Sequence, residues 1–386
     1  MSAAPATPVP PAASSGGAPS APAGPPAPAA GPPAPATPAR PLVLTADQDL
    51  LDDLLRLAAA GGAEPEVADH VAGAVASWRG APFVLVGWDL AADVLAVGLP
   101  RRPSLVLVGT SSAQPEIWRQ AVSLGAEHVA FLPEAERWLV ERFADSASPR
   151  RGRVLAVVGA RGGAGATSFA VALSLAAARA GRRTMLVDLD PFGGGVDLAF
   201  GAEAVDGPRW ADFVGASPPA SGEALANALP RCGEVTVLSW SRDGSPDVPS
   251  SVVSSLLSAA RRGADVVVVD LPRTFDEACR AALGVTDAAV VVCPAEFRAA
   301  VAAERVVGTL QLLVEDVRLV VRGPSPTGLT GADVAEAAGV PLAAWLDPEP
   351  ELDRALDEGR PPGRGGKGPL ATVCTSLLAD LVPDGA

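Results

Sequence analysis

The chain has 386 residues, 48% of them hydrophobic, which is enough for two or three domains with cores of their own. Thirty basic against forty-four acidic residues give a net charge of -14, which argues against the broad basic surface of a non-specific nucleic-acid binder. Tyrosine is absent and aromatics make up 4%, while Ala, Gly, Pro and Arg dominate, so alanine-rich helices carry little functional information here.

Residues 1–40 form a Pro/Ala/Gly stretch, "PPAASSGGAPSAPAGPPAPAAGPPAPATPAR" at its heart. Such a composition buries too little apolar surface to offset chain entropy, so a disordered, semi-stiff tail is expected. Residues 41–148 alternate short apolar runs with helical patterns. "PLVLT", "FVLVG", "SLVLVG" and "HVAFL" are strand candidates. "DQDLLDDLLRLAAA", "EVADHVAGAVASW", "PEIWRQAVSLG" and "EAERWLVERFA" are helix candidates. Continuous apolar strands between helices indicate a parallel sheet covered on both faces, in a small flavodoxin-like α/β domain.

This layout resembles response-regulator receiver domains. The resemblance implies an acidic cluster after the first strand, an aspartate ending the third and a lysine before a late proline. Asp47 and Asp49 keep the first feature. Gly87 and Trp88 stand nearest the acceptor slot, with Asp89 just beyond, and Leu132 stands where the lysine belongs, before Pro133. A receiver-like domain without phosphotransfer, used for contact or localisation, is expected.

A basic linker, "SPRRGR" (Ser148 to Arg153), opens residues 149–386. Seven strand candidates follow: "VLAVVG", "RTMLVDLD", "EVTVLSW", "ADVVVVDLP", "AAVVVCP", "VRLVVRG" and "VPLAAWLD". With helices between them they predict a second, mainly parallel α/β sheet of the P-loop type. Between the first of them and a helix lies "GARGGAGATS". Gly162, Gly163 and Gly165 allow backbone torsions that side chains forbid. Successive amides and the helix dipole can then face one anion. Gly162, Gly163, Ala164, Gly165, Ala166, Thr167 and Ser168 are therefore the candidate nucleotide-binding residues, with the Thr167 hydroxyl placed for a magnesium ion.

"LVDLDP" and "VVVDLPR" put Asp188, Asp190 and Asp270 at strand ends, where ligands of a parallel sheet bind. Asp270 would reach the metal, Asp190 would orient an attacking water, and Asp188 would support the metal or the loop. The final "LATVCTSLLADLV" is expected as a helix packing on its own domain.

Together, "GARGGAGATS", "LVDLDP" and "VVVDLPR" resemble the deviant Walker ATPases of the MinD/ParA group. The added receiver-like domain and the "DLPR" ending resemble the CpaE branch, including the actinobacterial septum-site-determining, CpaE-like proteins. The resemblance implies ATP/ADP and Mg2+ as ligands, a nucleotide-dependent homodimer, and division or pilus/secretion machinery as partners. The family loop carries two lysines. Arg161 fills the first slot, from which it would act across a dimer as an arginine finger does. Ala166 fills the second, leaving the loop without its own cation. Losing one such group costs on the order of 10²–10³ in rate, so hydrolysis should be slow or absent. Arg322 stands near the family's base-recognising asparagine. Glu296, Arg298, Glu304 and Arg305 read as a solvated helix face.

Cys232, Cys279, Cys293 and Cys374 lie far apart without a C-x-x-C pair, the pattern of reduced thiols in a cytoplasmic protein. His70 and His128 lack metal-type companions. No secretory signal opens the chain, and no uncharged apolar stretch reaches the about 18 residues of a membrane span, so no intrinsic membrane anchor is expected. Three functions stand side by side: a nucleotide-dependent switch, a nucleotide-independent scaffold, and a ParA-like DNA-partitioning ATPase, which the charge disfavours.

Overall fold

A computed structural model describes residues 40–110, 115–147, 151–215, 221–242 and 247–383. The Pro/Ala-rich stretch expected as a disordered tail lies outside the described residues except for Arg40, as do residues 148–150 of the basic linker.

The first sheet holds β1 (Leu42–Leu44), β2 (Glu66–Ala68), β3 (Val84–Gly87), β4 (Leu105–Gly109) and β5 (His128–Phe131) in the order β2-β1-β3-β4-β5. All pairs are parallel. Helices cover both faces, as an all-parallel sheet requires. Leu50, Leu54, Leu57 and Ala58 form one stripe of the helix Gln48–Ala60, which packs with Leu139 and Phe143 under one face. Val71, Ala91, Val94, Ile117 and Ala121 close the other.

One element differs from the sequence expectation. "EVADHVAGAVASW" is not a single helix. Its start is the edge strand β2 and only Val71–Ala74 is helical within it. Backbone pairing overrides the helical pattern: Glu66 donates to Pro41 O at 2.7 Å and Thr45 to Ala68 O at 3.1 Å. Trp78, 3% exposed, then anchors the connection by donating from Nε1 to Pro100 O.

The end of β3 shows what became of the acceptor slot. Gly87 leaves room that Asp89 fills. Asp89 Oδ1 accepts from Thr45 Oγ1 at 2.8 Å, and its Oδ2 accepts from Ala46 N at 2.7 Å and Asp47 N at 3.2 Å. Asp47 in turn caps the helix Gln48–Ala60 through the amides of Asp49 and Leu50. Asp89 and Asp47 are thus committed to backbone amides.

The second sheet holds β6 (Arg153–Gly159), β7 (Thr184–Asp188), β8 (Arg231–Cys232), β9 (Val235–Leu238), β10 (Val266–Leu271), β11 (Ala288–Pro294), β12 (Val317–Arg322) and β13 (Leu342–Leu346). Their order is β13-β12-β11-β6-β10-β7-β9-β8. The two-residue β8 is the antiparallel edge that the sequence did not reveal. β10 is a run of valines, buried throughout. Each such side chain contributes about 1.5–3 kcal/mol on burial. The helices Ala166–Arg179 and Pro369–Leu381 share one face of the sheet. Those at Ser250–Gly263, Glu277–Leu283, Phe297–Leu310 and Gly331–Ala338 share the other.

The two sheets belong to one compact unit, Ala39–Ala386. The helix Glu136–Ala147 meets the helix Ser250–Gly263 through polar contacts. Ser255 Oγ donates to Glu141 Oε1 at 2.6 Å, and Arg262, its side chain 6% exposed, bonds Asp145 at 2.6 Å.

Restoring a carboxylate at the strand end will not restore a phosphate acceptor. A Cβ at residue 87 would meet the Asp89 carboxylate and lie 2.6 Å from Thr45 Oγ1. Gly87→Asp is therefore expected to destabilise by about 1–3 kcal/mol, the scale of an overpacked site. Chemical unfolding measures this, and incubation with a small-molecule phosphodonor should leave the mass of the variant unchanged.

Candidate functional site

β6 ends at Gly159, and the next residue, Ala160, donates to Val292 O of β11 at 2.9 Å. The chain then turns through Gly163 (φ 71°) and Gly165 (φ 92°), both in the left-handed region that side chains avoid. Gly165 is the N-cap of the helix Ala166–Arg179, and no side chain caps it. The amides of the first helical turn are left open to the cavity in front of them. That cavity measures about 270 Å³ and is lined by the loop from Arg161 to Ser168 with Asp190, Asp270, Pro272 and Arg273. All seven candidate binding residues from Gly162 to Ser168 therefore face one space.

The three carboxylates part company. Parallel register places Asp270 of β10 level with Asp188 of β7 and Val157 of β6. Asp270 is 3% exposed, lines the cavity with Thr167 and is near enough to its hydroxyl for that group to lower its pKa. Asp190 lines the cavity from the β7 side, its Oδ1 accepting from Phe192 N at 3.1 Å. Asp188, 1% exposed, does not line it. Its oxygens accept from Asp190 N at 3.0 Å and Val196 N at 3.2 Å, holding the loop between them. Of the two roles expected for Asp188, the contacts are those of loop support.

Thr167 and Asp270 side by side suit a magnesium ion. This hard cation takes one or two carboxylates together with phosphate oxygens and water, rather than a full protein cage. No group of three or more His, Cys, Asp or Glu among the described residues is arranged to hold a metal alone.

The cations tell a different story from the sequence. Arg161 is engaged within its own chain: Nη2 donates to Glu296 Oε1 at 2.7 Å and Nη1 to Gly162 O at 2.8 Å. Glu296, its side chain still 40% exposed, is therefore also a partner of the loop. Arg322 reaches from the end of β12 across β11, its Nη2 3.4 Å from Gly163 O. Arg273 follows Asp270 by three residues and lines the cavity. Sequence reasoning put neither Arg273 nor Arg322 among the binding residues. The available signal was their place at or just past the end of an apolar strand. The only lysine of the chain, Lys367, lies elsewhere, lining a cavity with Glu349 and Glu351.

Burial, reinforced by Asp270, pushes the Asp188 carboxyl up to about 8 against the two amides it accepts from. Burial also pushes Asp270 up to about 7, with Asp190 adding to the effect and the Thr167 hydroxyl opposing it. The ordinary value is 3.8. The folded chain thus holds more protons than the unfolded one between these limits, and stability contributed by the pair falls as pH rises through that window. A divalent cation needs Asp270 ionised, so its binding releases a proton and tightens as pH rises through neutrality. The ligand-free melting temperature is therefore expected to fall between about pH 5 and about pH 8, measured by scanning calorimetry. Asp188→Asn should flatten the upper part of that profile, and an unchanged profile would remove this assignment.

Comparison with known proteins gives the same architecture. Residues 44–154 match the model of the Rv3660c-like, CheY-like N-terminal domain, and residues 153–322 match that of the cellulose biosynthesis protein BcsQ. Protein Rv3660c of Mycobacterium tuberculosis is 40% identical over 326 residues, which is 82% of this chain and 91% of the relative. The septum site-determining protein MinD of Synechocystis is 25% identical over 225 residues, 54% of this chain and 81% of that protein. Among solved structures, MinD of Pyrococcus horikoshii in complex with Mg-ADP superposes with a TM-score of 0.53 at 18% identity, covering 60% of this chain and 96% of its own. With a CheY-like sheet leading into a phosphate-loop sheet of the MinD/ParA kind, and with this likeness along most of its length, the chain belongs to the Rv3660c-like family.

Proposed function

We propose that the chain is a nucleotide-binding switch that positions septum formation or a Tad-type pilus or secretion apparatus, with slow or absent hydrolysis. In this reading ATP or ADP binds with Mg2+ in the cavity of the phosphate loop, and the bound form pairs with a second copy. The observation that carries it is the open cradle: left-handed turns at Gly163 and Gly165 leave the first amides of an uncapped helix facing the Thr167–Asp270 pair. A triphosphate would take its charge stabilisation from those amides and that helix end. Thr167 and Asp270 would hold the magnesium ion, which neutralises charge on the phosphates. Asp190, which lines the same cavity from the end of the adjacent β7, would orient water. The likeness to MinD proteins, one of them in complex with Mg-ADP, supports the ligand class and the division side of the reading.

Slow turnover follows from Ala166 and from Arg161. The first leaves no ammonium on the loop. The second is held by Glu296, and it would have to leave that carboxylate to reach across a dimer. Recruitment to a septum or pole would run through partner proteins. No helix among the described residues is long and apolar enough to cross a membrane.

Calorimetric titration of the full chain with ATP and with ADP, with and without Mg2+, tests this together with light scattering. Binding that needs Mg2+ and a doubling of mass with ATP are expected. No heat and no mass change at millimolar nucleotide would leave only the scaffold role. Ala166→Lys should raise phosphate release on the order of 10²–10³ if the rest of the site is intact. A rate that stays at zero would show that the missing lysine is not what limits hydrolysis.

A further inference from the structure

We propose that Arg273 and Arg322 supply, from outside the phosphate loop, the positive charge that the loop lacks at Ala166, and that they grip the phosphates of a nucleoside di- or triphosphate. The inference rests on the nucleotide reading above and names the groups that would make it work.

The two guanidinium groups flank the glycine turn. A methyl group on Gly165 would lie 3.0 Å from Nη1 of Arg322, and one on Gly162 would lie 3.6 Å from Nη2 of Arg273. Neither arginine has a carboxylate partner among the described residues. The hydrogen bond of Arg322 is the long one to Gly163 O, and Arg273 makes none among them. Arg161 differs, since Glu296 already neutralises it. A protein with a net charge of -14 and forty-four acidic residues has left two cations without acidic partners against one glycine turn, Arg273 lining the cavity and Arg322 reaching Gly163 and Gly165.

Their setting is also unfavourable in the free protein. Gly165 is the N-cap of the helix Ala166–Arg179, so the Arg322 fork sits against the end of a helix that carries about half a positive charge. Open amides nearby add to that positive potential. An anion placed among them reverses every one of these terms. Phosphate oxygens match the demand, because a planar guanidinium gives two parallel hydrogen bonds to a phosphate where an ammonium acts as a point charge.

The topology explains why arginine serves. A lysine at residue 166 would project from the helix itself. Arg322 instead starts two strands away in the order β12-β11-β6, and Arg273 starts just past the adjacent β10. Only a long side chain crosses such a span. At the end of β11 the small Ala295, which donates to Arg322 O at 2.9 Å, leaves the path open.

Titration of the full-length chain with ADP and Mg2+ tests this in six variants. Arg273→Ala and Arg322→Ala should each weaken binding about tenfold to a hundredfold, the scale of a hydrogen bond to a charged group. Arg→Lys at either position should recover part of the loss. In the double alanine variant, adding Ala166→Lys should restore at least tenfold, since a cation within the loop would then do the same task. Ligand-free melting temperatures should match that of the unmodified chain. If the unmodified chain binds and the alanine variants bind equally well, this assignment is overturned and the nucleotide reading stands. If affinity is lost and Ala166→Lys restores none of it, the loss is structural and the assignment is likewise overturned. If the unmodified chain does not bind, both fall.

Discussion

Parallel register in the second sheet brings every charged group of the cavity to one edge. β6, β7, β10, β11 and β12 all run the same way. Their carboxyl ends therefore deliver the phosphate loop, Asp190, Asp270, Arg273, Glu296 and Arg322 to a common level. A shift of one residue in β10 would send Asp270 to the opposite face of the sheet, away from Thr167. The buried valines of β10 fix that register, so the apolar core and the polar site are one constraint seen from two sides.

The first sheet follows the same rule and reaches a different end. Its strand-end acid, Asp89, is saturated by Thr45 and the amides of Ala46 and Asp47. At the phosphate loop the reverse holds: amides stay open, the Asp270 carboxyl is held above its ordinary value and two guanidinium groups lack acidic partners among the described residues. Unmet polar demand separates the two sites, although the fold that carries them is of the same general kind. The packing between the sheets, through Glu141, Asp145, Ser255 and Arg262, runs along the helix that leads into β10.

Much of this was legible in the residues. Apolar runs set between helical patterns gave nearly all the strands, because fully buried parallel strands carry unbroken Val and Leu sequences. The glycine turn and the acids Asp188, Asp190 and Asp270 were readable for the same reason: each follows such a run. What escaped was set by tertiary contact. β2 pairs as an edge although "EVADHVAGAVASW" suits a helix, and the two residues of β8 are too few to show a period. The bond from Arg161 to Glu296 links residues far apart in sequence. So does the approach of Arg322 to Gly163, and only the strand order brings these groups together. Asp188 illustrates a finer limit. Its position was readable, but which way its oxygens turn depends on the loop it holds.

The cations around the phosphate loop are all guanidinium, and the one amine side chain of the chain, Lys367, lines a different cavity with Glu349 and Glu351. A guanidinium keeps its proton throughout the physiological range, and reagents that acylate amines do not touch it. The positive charge at this cavity is consequently constant: neither acidity nor lysine acylation can turn it down. Adjustment of the local charge balance is left to the acids alone.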